Sequence, residues 1–120
     1  MAKVMVVDDA AFMRMRACKV LQENGHETVQ AENGLEAVKQ YAEHHPDAVL
    51  MDITMPEMDG VECVQELVAI NSNVLILVVS ALADKATAVD AIEKGANGFL
   101  CKPFTDRQLN DALEELLSEA

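Results

Sequence analysis

Two adjacent carboxylates, Asp8 and Asp9, close the apolar run Lys3-Val4-Met5-Val6-Val7, and a third, Asp52, closes Val49-Leu50-Met51. Ser80 follows the most apolar stretch of the chain, Val74 to Val79, and Lys102 follows Gly98-Phe99-Leu100-Cys101. Carboxylates held at close range cannot all stay ionised without a compensating cation. Oxygen donors with no His or Cys in the pattern favour a hard ion such as Mg²⁺, which takes one or two carboxylates plus waters and phosphate oxygens. A central carboxylate of such a group can attack phosphorus and form an aspartyl phosphate. The ion and Lys102 would neutralise the equatorial oxygens of the transferring group, where catalysis of phosphoryl transfer mainly lies. Ser80 can donate a hydrogen bond to a phosphate oxygen.

Each residue also has a plainer reading. Asp8-Asp9 could cap the first helix at its positive end. Asp52 could be a loop acid, Ser80 a helix cap and Lys102 a solvated charge. The elements that carry them decide between the two readings. Lys3 to Val7, Glu27 to Ala31, Asp47 to Asp52, Val74 to Val79 and Gly98 to Cys101 have the length and composition of strands. Helices follow each of them: Ala11 to Asn24 stopped by Gly25, Asn33 to about His45 before Pro46, Gly60 onward, about Asp84 to Lys94 before Gly95, and a last one after Thr105. Asn33 with Glu36, Asp59 with Glu62, and Thr105 with Gln108 have capping-box spacing, and Asp84 can cap the fourth helix. The expected inward residues are Met13, Ala17, Val20 and Leu21, then Val64, Leu67 and Val68, then Ala88, Val89 and Ile92, and finally Leu109, Ala112, Leu113, Leu116 and Leu117.

Strand and helix alternating five times predict an α/β fold, a doubly wound parallel sheet with helices on both faces. Ligands bind such sheets at the carboxyl ends of the strands. Four of the five strands deliver a polar group to that edge, which scattered surface polarity would not readily produce. Lys102 must turn back over the pocket while Phe104 returns to the core, a turn that a cis Lys102–Pro103 bond would make.

The formal net charge of -12 opposes binding to nucleic acid or anionic lipid. No apolar run approaches the roughly 18 residues of a membrane span, and no signal-peptide pattern opens the chain. Cys18, Cys63 and Cys101 lack a C-x-x-C spacing and read as reduced thiols of a cytosolic protein. Met13, Met51, Met55 and Met58 read as packing residues. His26, His44 and His45 lie near helix ends, where solvated surface is expected. Nothing follows the fifth helix in this sequence, so a single domain, 1–120, without an effector domain is expected.

Over essentially its whole length the sequence is similar to the receiver domain of bacterial response regulators. The likeness rests on Val7-Asp8-Asp9, Met51-Asp52-Ile53-Thr54-Met55-Pro56 with Met58-Asp59-Gly60, Ser80-Ala81, Gly95-Ala96 and Lys102-Pro103-Phe104. Within the family it most resembles the single-domain chemotaxis regulators, including Ala10 to Arg16. The resemblance implies a flavodoxin-like sheet of order 2-1-3-4-5. It implies Asp52 as the phosphoacceptor, and Asp8, Asp9, Asp52 and the Thr54 carbonyl as ligands of Mg²⁺. Ser80 and Lys102 would contact the phosphoryl group, and Phe99 occupies an aromatic switch position. Many family members carry Tyr there, so Phe99 argues against a hydrogen-bonded version of the switch.

The implied protein is a cytoplasmic monomer that is not a general enzyme and catalyses only its own phosphorylation and dephosphorylation. A histidine kinase would be the phosphodonor. The output would be non-covalent binding of a protein partner to the face made by the fourth helix, fifth strand and fifth helix, with the flagellar-motor switch favoured. A phosphorelay or sporulation-type regulator is the alternative. A flavodoxin would need a Ser/Thr/Gly-rich loop where Asp8-Asp9 stands, and a haloacid-dehalogenase-type phosphatase would need an acid at Thr54. A non-phosphorylated receiver-like module need not keep the acids, Ser80 and Lys102.

Overall fold

Runs rich in Val, Ile and Leu pair in parallel to form the sheet. The computed structural model describes residues 2–53, 60–81 and 85–119. In chain order the elements are β1 (Lys3–Val7), α1 (Ala11–Glu23), β2 (Glu27–Ala31), α2 (Gly34–His44), β3 (Ala48–Asp52), α3 (Gly60–Ile70), β4 (Leu75–Ala81), α4 (Lys85–Glu93), β5 (Gly98–Lys102) and α5 (Asp106–Leu117). The strands lie in the order β2-β1-β3-β4-β5. This is the doubly wound architecture expected from the alternation of elements, with the order implied by the family likeness.

The period-two alternation of the strands separates two cores. Met5, Val7, Val49, Met51, Ile76 and Val78 face α2, α3 and α4, where they meet Ala37, Tyr41, Cys63, Leu67, Ala88 and Ala91. Val4, Val6, Leu50, Leu77 and Val79 face α1 and α5, where they meet Ala17, Leu21, Leu109, Leu113 and Leu116. Truncating a fully buried leucine such as Leu113 to alanine removes about 2–5 kcal/mol. Among the described residues, no helix is long and apolar enough to cross a membrane.

The caps follow the sequence in two places. Asn33 accepts the Glu36 N–H ahead of α2, though the reciprocal bond of a full capping box is not formed. Thr105 and Gln108 make both bonds of the box at α5. Gly25 and Gly95 take positive φ after α1 and α4, as stop residues do. The Lys102–Pro103 bond is cis. The expected caps Asp59 and Asp84, and the packing residues Met55 and Met58, lie outside the described residues.

The structure departs from the sequence pattern at α4, at β4 and at His26. Val89 and Ile92 are exposed, not inward; Ala88 and Ala91 face the sheet instead. Two small side chains let α4 sit close on the strands, which turns the larger neighbours outward. Met13, Val68, Ala112 and Leu117 are half-buried, and the last three pack against the two cores as expected. β4 starts at Leu75 and runs through Ser80, so Ser80 belongs to a strand and caps no helix.

His26 is buried, not solvated. Its Nδ1 accepts the Ala2 N–H at 3.0 Å and its Nε2 lies 3.3 Å from Glu114 of α5. The ring therefore ties the start of β1 to α5. His44 and His45 are exposed as expected.

Candidate functional site

The parallel ladders dictate which groups meet at the carboxyl edge. Val7 pairs with Met51 across β1 and β3, so the next residues along, Asp8 and Asp52, emerge side by side. Asp8 and Asp52 are buried, while Asp9 is exposed. One carboxylate oxygen from each of Asp8, Asp9 and Asp52 lies within 4.8 Å of the others. Burying acids in this way is costly unless their charge is compensated.

Part of the compensation comes from Lys102. Its Nζ lies 3.4 Å from Asp52 Oδ2 and 3.9 Å from Asp8 Oδ2. Lys102 ends β5, two strands away from β3, so its side chain spans the end of β4 to reach Asp52. The cis bond that follows starts the return of the chain, and Phe104 packs against the α1–α5 core.

The plainer reading of Asp8-Asp9 as a helix cap does not describe the structure. Ala10 is the N-cap of α1 and makes no side-chain cap bond. The Asp8 carboxylate instead accepts the Ala10 N–H at 2.9 Å, which leaves Asp9 projecting beside the pocket. Ser80, 1 % exposed, follows Val79, the partner of Asp52 in the ladder. Its Oγ is buried and has no hydrogen-bond partner among the described residues. An orphaned buried hydroxyl is uncommon and points to a ligand oxygen or water. Thr54, the remaining ligand implied by the family likeness, lies outside the described residues.

Phe99 is exposed at 41 % and pairs with Val78 across β4 and β5, one layer behind Ser80. With Val89 and Ile92 it is among the exposed large apolar side chains. A cavity of about 620 Å³ lies elsewhere: it opens at the opposite edge between His26, Tyr41 and Asn71. Among the described residues, Asp8, Asp52 and Lys102 line only a small cavity of about 20 Å³, so the acid site is marked by its chemistry.

Sequence matches the response regulator receiver domain across residues 4–114. This chain belongs to the receiver domain family. It is 44% identical over 117 residues to the chemotaxis protein CheY of Bacillus subtilis, covering 97% of this chain and 98% of that protein. It is 31% identical to sporulation initiation phosphotransferase F of the same organism, covering 96% of this chain and 93% of that one. The receiver domain of NtrX from Brucella abortus superposes with a TM-score of 0.94 at 28% identity, over 98% of this chain and 99% of that chain.

The acids, Ser80 and Lys102 are marked in the sequence by their places after the strands; the support behind them carries no such mark. Gly60 is pressed against the end of β3: a Cβ there would overlap the Ile53 backbone and come within 2.8 Å of the Asp52 carbonyl oxygen. Arg14 donates from Nη1 to the Asp8 carbonyl at 2.7 Å. Its signal was its place four residues after Ala10, where a helical side chain points back over the preceding turn.

Proposed function

We propose that this receiver domain is a phosphorylation-controlled signalling switch that accepts a phosphoryl group from a histidine kinase onto Asp52. The observation that carries the reading is the convergence of Lys102 and the Asp8-Asp9 pair on one buried carboxylate. In the transfer, a carboxylate oxygen of Asp52 forms the new O–P bond as the P–N bond of the kinase's phosphohistidine breaks. The imidazole nitrogen leaves with the electron pair.

The donor set fits Mg²⁺: three carboxylates, all hard oxygen ligands, close enough to be gathered by side-chain rotation. Asp8, Asp9 and Asp52 would hold the ion, with Thr54 as the further ligand the family suggests. When bound, it supplies positive charge to the phosphoryl oxygens. Lys102 lies against Asp52 already and would move its charge onto a phosphoryl oxygen, while the orphaned Ser80 Oγ would donate to another. The domain catalyses its own phosphorylation and dephosphorylation and is not otherwise an enzyme.

The output is a population shift toward a second conformation. Drawing Ser80 toward the phosphoryl group leaves space beside β4, and the ring of Phe99 turns inward to refill it. With Phe99 turned inward, the exposed Val89 and Ile92 of α4 are left on a changed surface for a downstream protein. The likeness to a chemotaxis protein favours a flagellar-motor partner, and the likeness to a sporulation phosphotransferase supports a phosphorelay as the second reading. Phosphotransfer profiling against the host's histidine kinases tests the proposal. Rapid labelling by one kinase, lost in Asp52→Ala, is expected, and labelling that survives the substitution refutes it. Onward passage of the label to a second histidine protein would favour the phosphorelay.

A further inference from the structure

The edge strand β2 contributes no group to the acid site, yet it is joined to it through one side chain. Arg14 lies half-buried on α1 with its guanidinium between the two. Its Nη1 donates to the backbone carbonyl of Asp8 at 2.7 Å, and its Nε donates to Oε1 of Gln30 on β2 at 3.2 Å. A second link runs through the backbone, where Asp8 N–H donates to the Ala31 carbonyl at 3.2 Å. Asp8 is thus held at its N–H by β2, at its carboxylate by Ala10 and at its carbonyl by Arg14.

We propose that Arg14 is a positioning residue for the metal site, a brace from Gln30 to the Asp8 carbonyl that fixes the turn presenting Asp8 and Asp9. The inference rests on the reading of Asp8, Asp9 and Asp52 as the Mg²⁺ ligands. The physical reason is pre-organisation. Two like charges on adjacent residues repel, and Asp9, at the exposed end of the turn, is placed by how the backbone leaves Asp8. A planar guanidinium presents Nε and Nη1 to the two acceptors from one pre-organised fork, whereas the three donors of an ammonium rotate on a flexible stem. Outer groups that orient metal ligands typically carry about 10- to 100-fold in affinity.

The sign of the effect separates a brace from simple electrostatics. Arg14 is a cation near an anionic site, so as a mere charge it opposes Mg²⁺, and its removal would tighten binding. As a brace, its removal weakens binding. Mg²⁺ alone is titrated calorimetrically into the full chain and its variants, with melting in chelator measured alongside. Arg14→Ala is expected to weaken Mg²⁺ roughly tenfold, and Arg14→Lys to recover part of the loss. Gln30→Ala changes no charge at an exposed position and is expected to weaken Mg²⁺ by less, with an unchanged melt. In the Arg14→Ala background, Gln30→Ala is expected to add nothing, because the two residues act in series.

Unchanged or tighter binding by Arg14→Ala overturns the brace. If that variant does not fold, unchanged affinity of Gln30→Ala does the same. Wild-type protein that takes up no Mg²⁺, or an Asp9→Ala variant that binds as wild type does, overturns the metal reading itself.

Discussion

Asp52 is the residue on which the other site groups converge, and its environment comes from neighbours far apart in sequence. Lys102, 3.4 Å away, and Asp8 and Asp9, within 4.8 Å, each follow a different strand from it. Removing Asp9 should therefore separate metal binding from folding. Asp9→Ala is expected to lower Mg²⁺ affinity by at least the roughly tenfold that loss of an outer partner costs, with slower phosphorylation. The metal-free protein should melt no lower, since one like charge has gone. Calorimetric titration and a thermal melt check both arms. Cys18 tests the other core. Burial holds its thiol above the ordinary value, against smaller opposing effects of the Thr28 hydrogen bond and the Arg14 charge. The unfolded thiol ionises first, so the folded state binds more protons above about pH 8.5 and stability falls as pH rises through that value. Below it the effect is absent. Urea midpoints across that range should decline less steeply in Cys18→Ala than in wild type.

The elements explain why the site is rigid where it is. β3 ends at Asp52 with α3 beginning so close that only glycine fits at position 60. Gly60→Ala is expected to cost about 1–3 kcal/mol and to slow phosphorylation by displacing the Asp52 end of the strand. A urea midpoint and a labelling rate measured together would show it, and an unchanged pair would mean the backbone yields without consequence. The strands and helices were legible in the sequence because Val-rich runs and Gly or Pro stops alternate so regularly. Helix faces were less so. Hydrophobicity alone turned Val89 and Ile92 inward, but two alanines, Ala88 and Ala91, make the close contact. His26 was hidden for a related reason. A histidine beside a turn reads as solvated unless one knows that Ala2 and Glu114 arrive to bond both its nitrogens. Such partners, 24 and 88 residues away, leave no local pattern.

For the whole molecule, the parallel topology does the assembling: it brings the ends of β1, β3, β4 and β5 to one edge, where Asp8, Asp52, Ser80 and Lys102 stand. That convergence was legible from the order of elements and the residues after each run. The restraints from Arg14, Gln30 and Gly60 were not, because they depend on how closely elements pack, which residue types alone do not specify. The formal charge of -12 adds a molecule-wide preference for cations and basic partner surfaces. The central claim is that Asp52 itself carries the phosphoryl group. The direct test is to react the protein with acetyl phosphate and Mg²⁺, reduce the acyl phosphate with borohydride, and sequence the peptides by mass spectrometry. Homoserine at position 52, absent when Mg²⁺ is chelated, is the predicted result. Homoserine at position 8 or 9 with Asp52 intact would contradict it.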